Sequence, residues 1–277
     1  MNTIQALAIA VLQGATELFP VSSLGHAVIV PSLLRSSIDQ ASEAFLPFVV
    51  MLHLGTAVAL LQFFWRDWWL IGTGVVGLAD AHQVKESRRV FVLIVIATIP
   101  AVIVALLFEK MIRGLFAAPL IAAAFLVVNG LILLFGERVR GRGARPLGDI
   151  KPLDALVIGC AQCLALIPGI SRSGSTIVAG LLRGINHESS AHFSFLIATP
   201  IIFGATLHQA PKLLHATMEP GVLAIASVAA VVAGITAWLS TWFLMRYFRS
   251  HEDWALNPFG YYCVGFGGLS SLWLWLA

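Results

Sequence analysis

Two short polar islands interrupt otherwise apolar stretches of the chain, and they constrain what it can fold into more than any other feature. The first runs from Gln13 through Gly14, Thr16, Glu17, Pro20, Ser22, Ser23 and Gly25 to His26. The second runs from Gln162 through Pro168, Gly169, Ser171, Arg172, Ser173 and Gly174 to Ser175 and Thr176. A carboxylate, a histidine, an arginine and clustered hydroxyls are costly in lipid, and at that depth they default to a functional reading. The rest of the chain is built for lipid. It is 58% apolar and 11% charged, with mean hydropathy +0.89, which excludes a soluble domain of this length and predicts an all-α polytopic membrane protein.

A full span needs about 20 apolar residues. Six segments meet or approach that length: 44–65, 89–109, 119–136, 190–209, 221–247 and 256–277. The pieces 2–18 and 24–34, and likewise 152–166 and 175–184, are too short or interrupted to cross alone. They are expected to form two re-entrant helical hairpins, whose irregular tips are tolerated only where protein or water surrounds them. The stretch 67–79, with Trp68 and Trp69, is expected to lie along an interface.

The islands align at one offset of 149 residues, from Gln13 to Gln162, Ser22 to Ser171 and Gly25 to Gly174. With three spans between the hairpins, this predicts an inverted repeat, with repeat one at roughly 1–110 and repeat two at roughly 150–250 of a single integral membrane domain, 1–277. Basic residues segregate accordingly. Arg66, Lys85, Arg88, Arg89, the arginines from Arg138 to Arg145, Lys151, Arg183, Arg246 and Arg249 fall on one side, against Arg35, Lys110, Arg113 and Lys212 on the other. That bias puts the 137–151 loop in the cytoplasm and both termini, with Ser37, outside. The Arg138–Arg145 run is read as a topogenic, lipid-facing loop. Met1 to Ala10 lacks a basic n-region, so a cleaved signal peptide is not expected. Cys160 and Cys163 form a CxxC with no second pair, which supports neither zinc nor redox chemistry.

Gln13 and Glu17, four apart, share a helix face, and Ser23 and His26, three apart, can meet at the start of the next helix. Ser22 or Ser23 is expected to cap that helix, and Ser171 or Ser173 its counterpart. Converging helix N-termini favour an anion, and Arg172 adds a planar fork suited to phosphate oxygens. Taken singly, Ser22, Thr16 and Thr176 would more often satisfy a helix carbonyl. The combination points to attack on phosphate, with His26 or Glu17 as base for a serine. His53, His192 and His208 lack a clustered acid and are read as helix contacts.

At these residues the chain resembles the undecaprenyl-diphosphate phosphatase family, also known for bacitracin resistance. The family's E/Q-G-x-x-E-F-L-P-x-S-S-x-G-H run matches Gln13 to His26, with Leu18-Phe19 in place of Phe-Leu. Its P-G-x-S-R-S-G run matches Pro168 to Gly174 in full, and the likeness extends to the stretch His192 to Phe195 and to Gly204-Ala205-Thr206. The resemblance implies hydrolysis of a C55 isoprenyl diphosphate at the outer leaflet of the bacterial inner membrane, facing the periplasm, with a divalent cation, Mg2+ or Ca2+. It puts Glu17, Ser23, His26 and Arg172 on catalytic positions, and it leaves open whether Ser23, His26 or water attacks phosphorus. Ser22, Ser171, Ser173, Gly174 and Thr176 are expected around the substrate phosphates, and Gln13 with Glu17 at the cation, Gln13 standing where many members have Glu. The expected partners are the lipid substrate and the bilayer, not nucleic acid. A lipid-phosphate transporter would share the broken helices and the repeat, but it has no need of a serine beside a base.

Overall fold

The computed structural model describes residues 3–34, 45–108, 118–140, 145–215 and 220–276. Among them the chain forms the helices α1 (Thr3–Leu18), α2 (Ser23–Leu33), α3 (Phe45–Phe63), α4 (Trp65–Val75), α5 (Ala81–Leu107), α6 (Pro119–Val139), α7 (Pro152–Gln162), α8 (Arg172–Leu182), α9 (His187–His215), α10 (Pro220–Ser250) and α11 (Asn257–Leu276). No strand occurs among the described residues, only a β-bridge between Arg145 and Ile185.

Four stretches are long and apolar enough to cross a membrane: Ala81–Leu107, Pro119–Val139, His187–Gln209 and Leu223–Ser250. Phe48–Phe63 and Trp65–Val75 make a fifth if taken as one span bent by 74°. That bend falls where the sequence predicts a span to give way to an interfacial stretch, though α4 starts at Trp65 and ends at Val75. α11 is 20 residues long but falls short on hydropathy, because Tyr261, Tyr262, Ser270, Ser271 and its glycines dilute the apolar run. The long helices expose apolar rows, such as Phe91, Val95, Ile99, Ile103 and Leu107 on α5. Rows of that kind suit lipid rather than water, and the chain is a multi-pass membrane protein.

The short helices on either side of each polar island pair as two helical hairpins. α1 and α2 meet at a tip of Phe19 to Ser22, and α7 runs through a 3-10 turn at Cys163–Leu166 into a second tip that ends at Ser171. Close approach of the tips needs glycine. A Cβ on Gly25 would meet the Gly169 Cα at 3.0 Å, and Gly169 itself sits at φ +102°, where a side chain is strained. α1 lies against α10, where Gly14 reaches the Ala233 carbonyl, and α7 lies against α5, where Gly159 reaches the Ala97 carbonyl. Each hairpin is thus packed on a long helix from the other half of the chain.

At one end of the molecule two arginines of the Arg138–Arg145 run, Arg140 and Arg145, are tied to protein groups rather than turned to lipid, which corrects the lipid-facing reading for those two. Arg145 and Arg183 bind the fully buried Asp154 at 2.6 and 2.7 Å. Arg140 pairs with Glu137 and Asp253 at 2.8 and 2.6 Å, and Arg89 donates to the Gly148 and Ile150 carbonyls. These bonds tie the ends of α5, α6, α7, α8 and α11 together, and a buried Asp in that position requires them. Burial works against its charged form, but hydrogen bonds from Arg145, the Lys151 amide and Arg183 outweigh it and hold the carboxyl at about 2. Arg35, Ser37, Lys110, Arg113 and Arg142, on which the sidedness expectation also rests, lie outside the described residues, as does the side chain of Lys212.

Candidate active site

Each tip delivers a capped helix start. The Ser22 hydroxyl accepts from the Gly25 amide at 3.1 Å, and the Ser171 hydroxyl accepts from the Gly174 amide at 3.1 Å. Of the candidate caps, Ser22 and Ser171 therefore do the capping, in one geometry, at positions 149 apart. Ser22 does so from φ +68°, a conformation that costs a non-glycine residue about 1–3 kcal/mol. Its cap bond and the His26 Nδ1–H donated to its carbonyl at 2.8 Å offset that strain.

Capping at Ser22 and Ser171 makes Ser23 and Arg172 the first residues of α2 and α8, and both turn to Glu17 at the end of α1. Ser23 Oγ donates to Glu17 Oε2 at 2.7 Å. Arg172 Nη2 reaches Glu17 Oε1 at 3.5 Å, and Arg172 Nη1 reaches the Ser194 carbonyl at 3.4 Å. Gln13, one turn before Glu17, donates Nε2–H to Oε2 at 2.9 Å. Glu17 is 9% exposed, so its charge is neutralised by these donors rather than by water.

The predicted meeting of Ser23 with His26 is not seen. His26 is buried, with its ring stacked on Phe266 and Tyr262 at centroid distances of 5.2 and 5.7 Å. Its Nε2 lies 2.8 Å from the Tyr262 hydroxyl. With Nδ1–H on the Ser22 carbonyl, that leaves Nε2 to accept from the tyrosine, so the histidine supports the strained tip. Of the hydroxyls expected around phosphate, Ser173 donates to the Phe19 carbonyl at 3.1 Å and Thr176 shares a 2.7 Å bond with Ser194. A Cβ on Gly174 would lie 3.4 Å from that of Pro20. Ser173 and Gly174 thus hold the two tips against each other, while Thr176 ties α8 to α9.

Three residues in this constellation have no local signal in the sequence. Asn129, fully buried on α6, donates to the Pro20 carbonyl at 3.0 Å and accepts from the Ser171 amide at 2.8 Å, clamping both tips with one side chain. Tyr262 comes from α11. His53, read as a helix contact, brings Nε2 to within 3.3 Å of Gln13 Nε2 and 3.8 Å of Glu17 Oε2. Polar residues isolated in apolar runs, as Asn129 and His53 are, were the only available hint.

A sequence model described as bacitracin resistance protein BacA matches residues 6–269. The chain belongs to the bacitracin resistance protein family. Curated relatives agree along their whole length. An undecaprenyl-diphosphatase of Granulibacter bethesdensis is 61% identical, covering 100% of this chain and 98% of that protein. One of Acidiphilium cryptum is 55% identical over 98% of both chains. The undecaprenyl-diphosphatase 2 of Chromobacterium violaceum is 48% identical over 97% of this chain and 98% of its own.

A cation cage is not what this donor set offers. Glu17 Oε2 already accepts from Ser23 and Gln13, Oε1 faces the Arg172 cation, and Gln13 turns its amide nitrogen toward the carboxylate. Among the described residues no three His, Cys, Asp or Glu side chains gather as metal ligands do. Mg2+ and Ca2+ ask for several oxygens, and a single carboxylate, with one oxygen held by Ser23 and Gln13 and the other facing a cation, does not fit either ion.

Proposed function

We propose that this protein is an undecaprenyl-diphosphatase, an integral membrane hydrolase that splits the anhydride of an isoprenyl diphosphate into the lipid monophosphate and inorganic phosphate. The observation that carries the reading is the 2.7 Å contact of Ser23 Oγ with Glu17 Oε2, with Arg172 on the opposite oxygen. Glu17 takes the hydroxyl proton as Ser23 Oγ bonds to the terminal phosphorus, and the bond from that phosphorus to the bridging oxygen breaks. The lipid monophosphate leaves with that oxygen, and water then hydrolyses the phosphoserine. Arg172 supplies its remaining N–H donors to the phosphoryl oxygens, and the amides at the starts of α2 and α8 add partial positive charge. His26 and Tyr262 keep Ser22, and with it Ser23, in place. Ser171, Ser173, Gly174 and Thr176 set the depth of Arg172. A lipid carrier would use the same arginine and helix ends, but it leaves the serine–carboxylate contact without a role.

The architecture proposed for this chemistry is one integral membrane domain with six spans, counting α3 and α11, around two re-entrant hairpins related as an inverted repeat. The Asp154 end faces the cytoplasm and the site opens to the periplasmic leaflet of the inner membrane, where the carrier lipid of cell-wall synthesis is recycled and bacitracin resistance follows. The divalent cation, Mg2+ or Ca2+, travels with the diphosphate rather than with the protein. The deciding experiment incubates purified protein in detergent with undecaprenyl diphosphate. Release of inorganic phosphate without any second compartment is expected, and its absence would leave transport as the better reading.

A further inference from the structure

His53 has no part in the reaction described above, yet it is the one histidine that reaches the Gln13–Glu17 pair among the described residues. Its two nitrogens do different things. Nδ1 lies 2.9 Å from the Val49 carbonyl, one turn back on α3, and only an N–H can bond there. The other nitrogen, Nε2, faces the Gln13 amide nitrogen at 3.3 Å, and since that group can only donate, Nε2 meets it with its lone pair. Gln13 has two N–H donors. One goes to Glu17 Oε2 at 2.9 Å and the other to His53.

With both donors committed, the amide cannot turn over, because its oxygen would then face a carboxylate oxygen and an imidazole lone pair. Glu17 is held in one rotation by the same bonds: Oε2 toward Ser23 and Gln13, Oε1 toward Arg172. The close seat of α3 that brings His53 in is secured two residues later, where Gly55 packs on the Ala230 carbonyl of α10 with no room for a side chain.

We infer that His53 is a positioning residue for the phosphatase reaction: its Nε2 lone pair fixes the Gln13 amide and, through it, the orientation of Glu17 toward the Ser23 hydroxyl. The inference rests on the proposed phosphatase reading. It assigns the effect to the Nε2 edge of the ring and not to the Nδ1 tie within α3, and two substitutions separate these edges. His53→Gln places an amide oxygen near the position of Nε2 and gives up the Val49 bond. His53→Asn keeps a donor near the position of Nδ1 and gives up the Gln13 bond.

The test measures phosphate release from undecaprenyl diphosphate in detergent by wild type and both variants. It also follows the Gln13 side-chain amide signals by 15N NMR, assigned by their loss in Gln13→Ala. His53→Asn is expected to lower kcat by ~10-fold or more with KM within about twofold, since the substrate's own contacts are untouched. His53→Gln should retain kcat within about threefold. The Gln13 amide signals should move in the Asn variant and stay near their wild-type positions in the Gln variant. Equal kcat in the two variants, better turnover in His53→Asn, or loss of folding in both would overturn the assignment and return His53 to a helix contact. A wild type that releases no phosphate defeats the phosphatase reading instead, and the Gln13 signals still decide whether His53 holds the amide.

Discussion

Ser23 and Arg172 occupy equivalent positions, each the first residue of a half-helix and 149 residues apart, and they take opposite oxygens of the same carboxylate, Glu17. Both helices start on a serine cap, yet their first residues differ. One contributes a hydroxyl able to attack, the other a fixed cation able to hold an anion. The asymmetry extends one turn back, where Gln13 supports Glu17 while Gln162 spends its amide nitrogen on the Ala97 carbonyl at 3.2 Å.

The first prediction follows from the loose fit of Arg172. At 3.5 Å from Glu17 and 3.4 Å from the Ser194 carbonyl, its guanidinium is not spent on the protein. Arg172→Lys keeps the charge and loses the planar fork, so turnover on the lipid diphosphate should fall by ~10-fold or more. Turnover near wild type would mean that charge alone suffices at that position.

Gln13→Glu tests the cation. The new carboxylate would stand where an N–H now donates to Glu17 at 2.9 Å, and two carboxylates at that separation repel. Phosphate release by Gln13→Glu should therefore drop at low free Mg2+ and recover as Mg2+ is raised. Wild-type protein without lipid should show no Mn2+ binding by paramagnetic resonance, and the variant should show it. Tight binding to the lipid-free wild type would put the cation on the protein after all.

Much of this site is legible in the sequence, because the residues of each tip are neighbours in the chain and helix geometry brings them together. Glu17, Ser23 and Arg172 converge as the hairpin reading requires. Asn129, Tyr262 and His53 stand on α6, α11 and α3, far in sequence from both tips, and only the crossing of those helices over the tips gives them these partners. His26 shows the limit of local spacing. Three residues from Ser23, it spends both nitrogens on Ser22 and Tyr262.

Asp154 makes the pH dependence of the fold testable. Its carboxyl is held at about 2, against 3.8 for an unperturbed group. A depressed carboxylate adds stability above its unfolded value and loses it as pH falls toward the folded one. The shift corresponds to about 2 kcal/mol at neutral pH. Asp154→Asn should lower the thermal midpoint in detergent at pH 7 by several degrees. The gap to wild type should narrow as pH drops below about 4. A gap that stays constant down to pH 3 would show that the Arg145 and Arg183 contacts do not hold the charge.

The last prediction separates the two neighbouring serines at the first tip. Ser22 caps α2 from a strained backbone and points its hydroxyl at the Gly25 amide, whereas Ser23 points at Glu17. Ser22→Ala removes a cap, worth about 1 kcal/mol, and should cost stability while leaving substantial activity. Ser23→Ala removes the only hydroxyl among the described residues that donates to Glu17. It should abolish phosphate release while the protein still binds the lipid diphosphate, because Arg172 and the helix ends are intact. Rapid quench of the wild type with labelled substrate should then trap phosphate on Ser23. If Ser23→Ala turns over within a few-fold of wild type, the serine only orders the site. Water activated by Glu17 becomes the attacking group, and the Glu17→Gln variant, inactive under either mechanism, marks the carboxylate as the base they share.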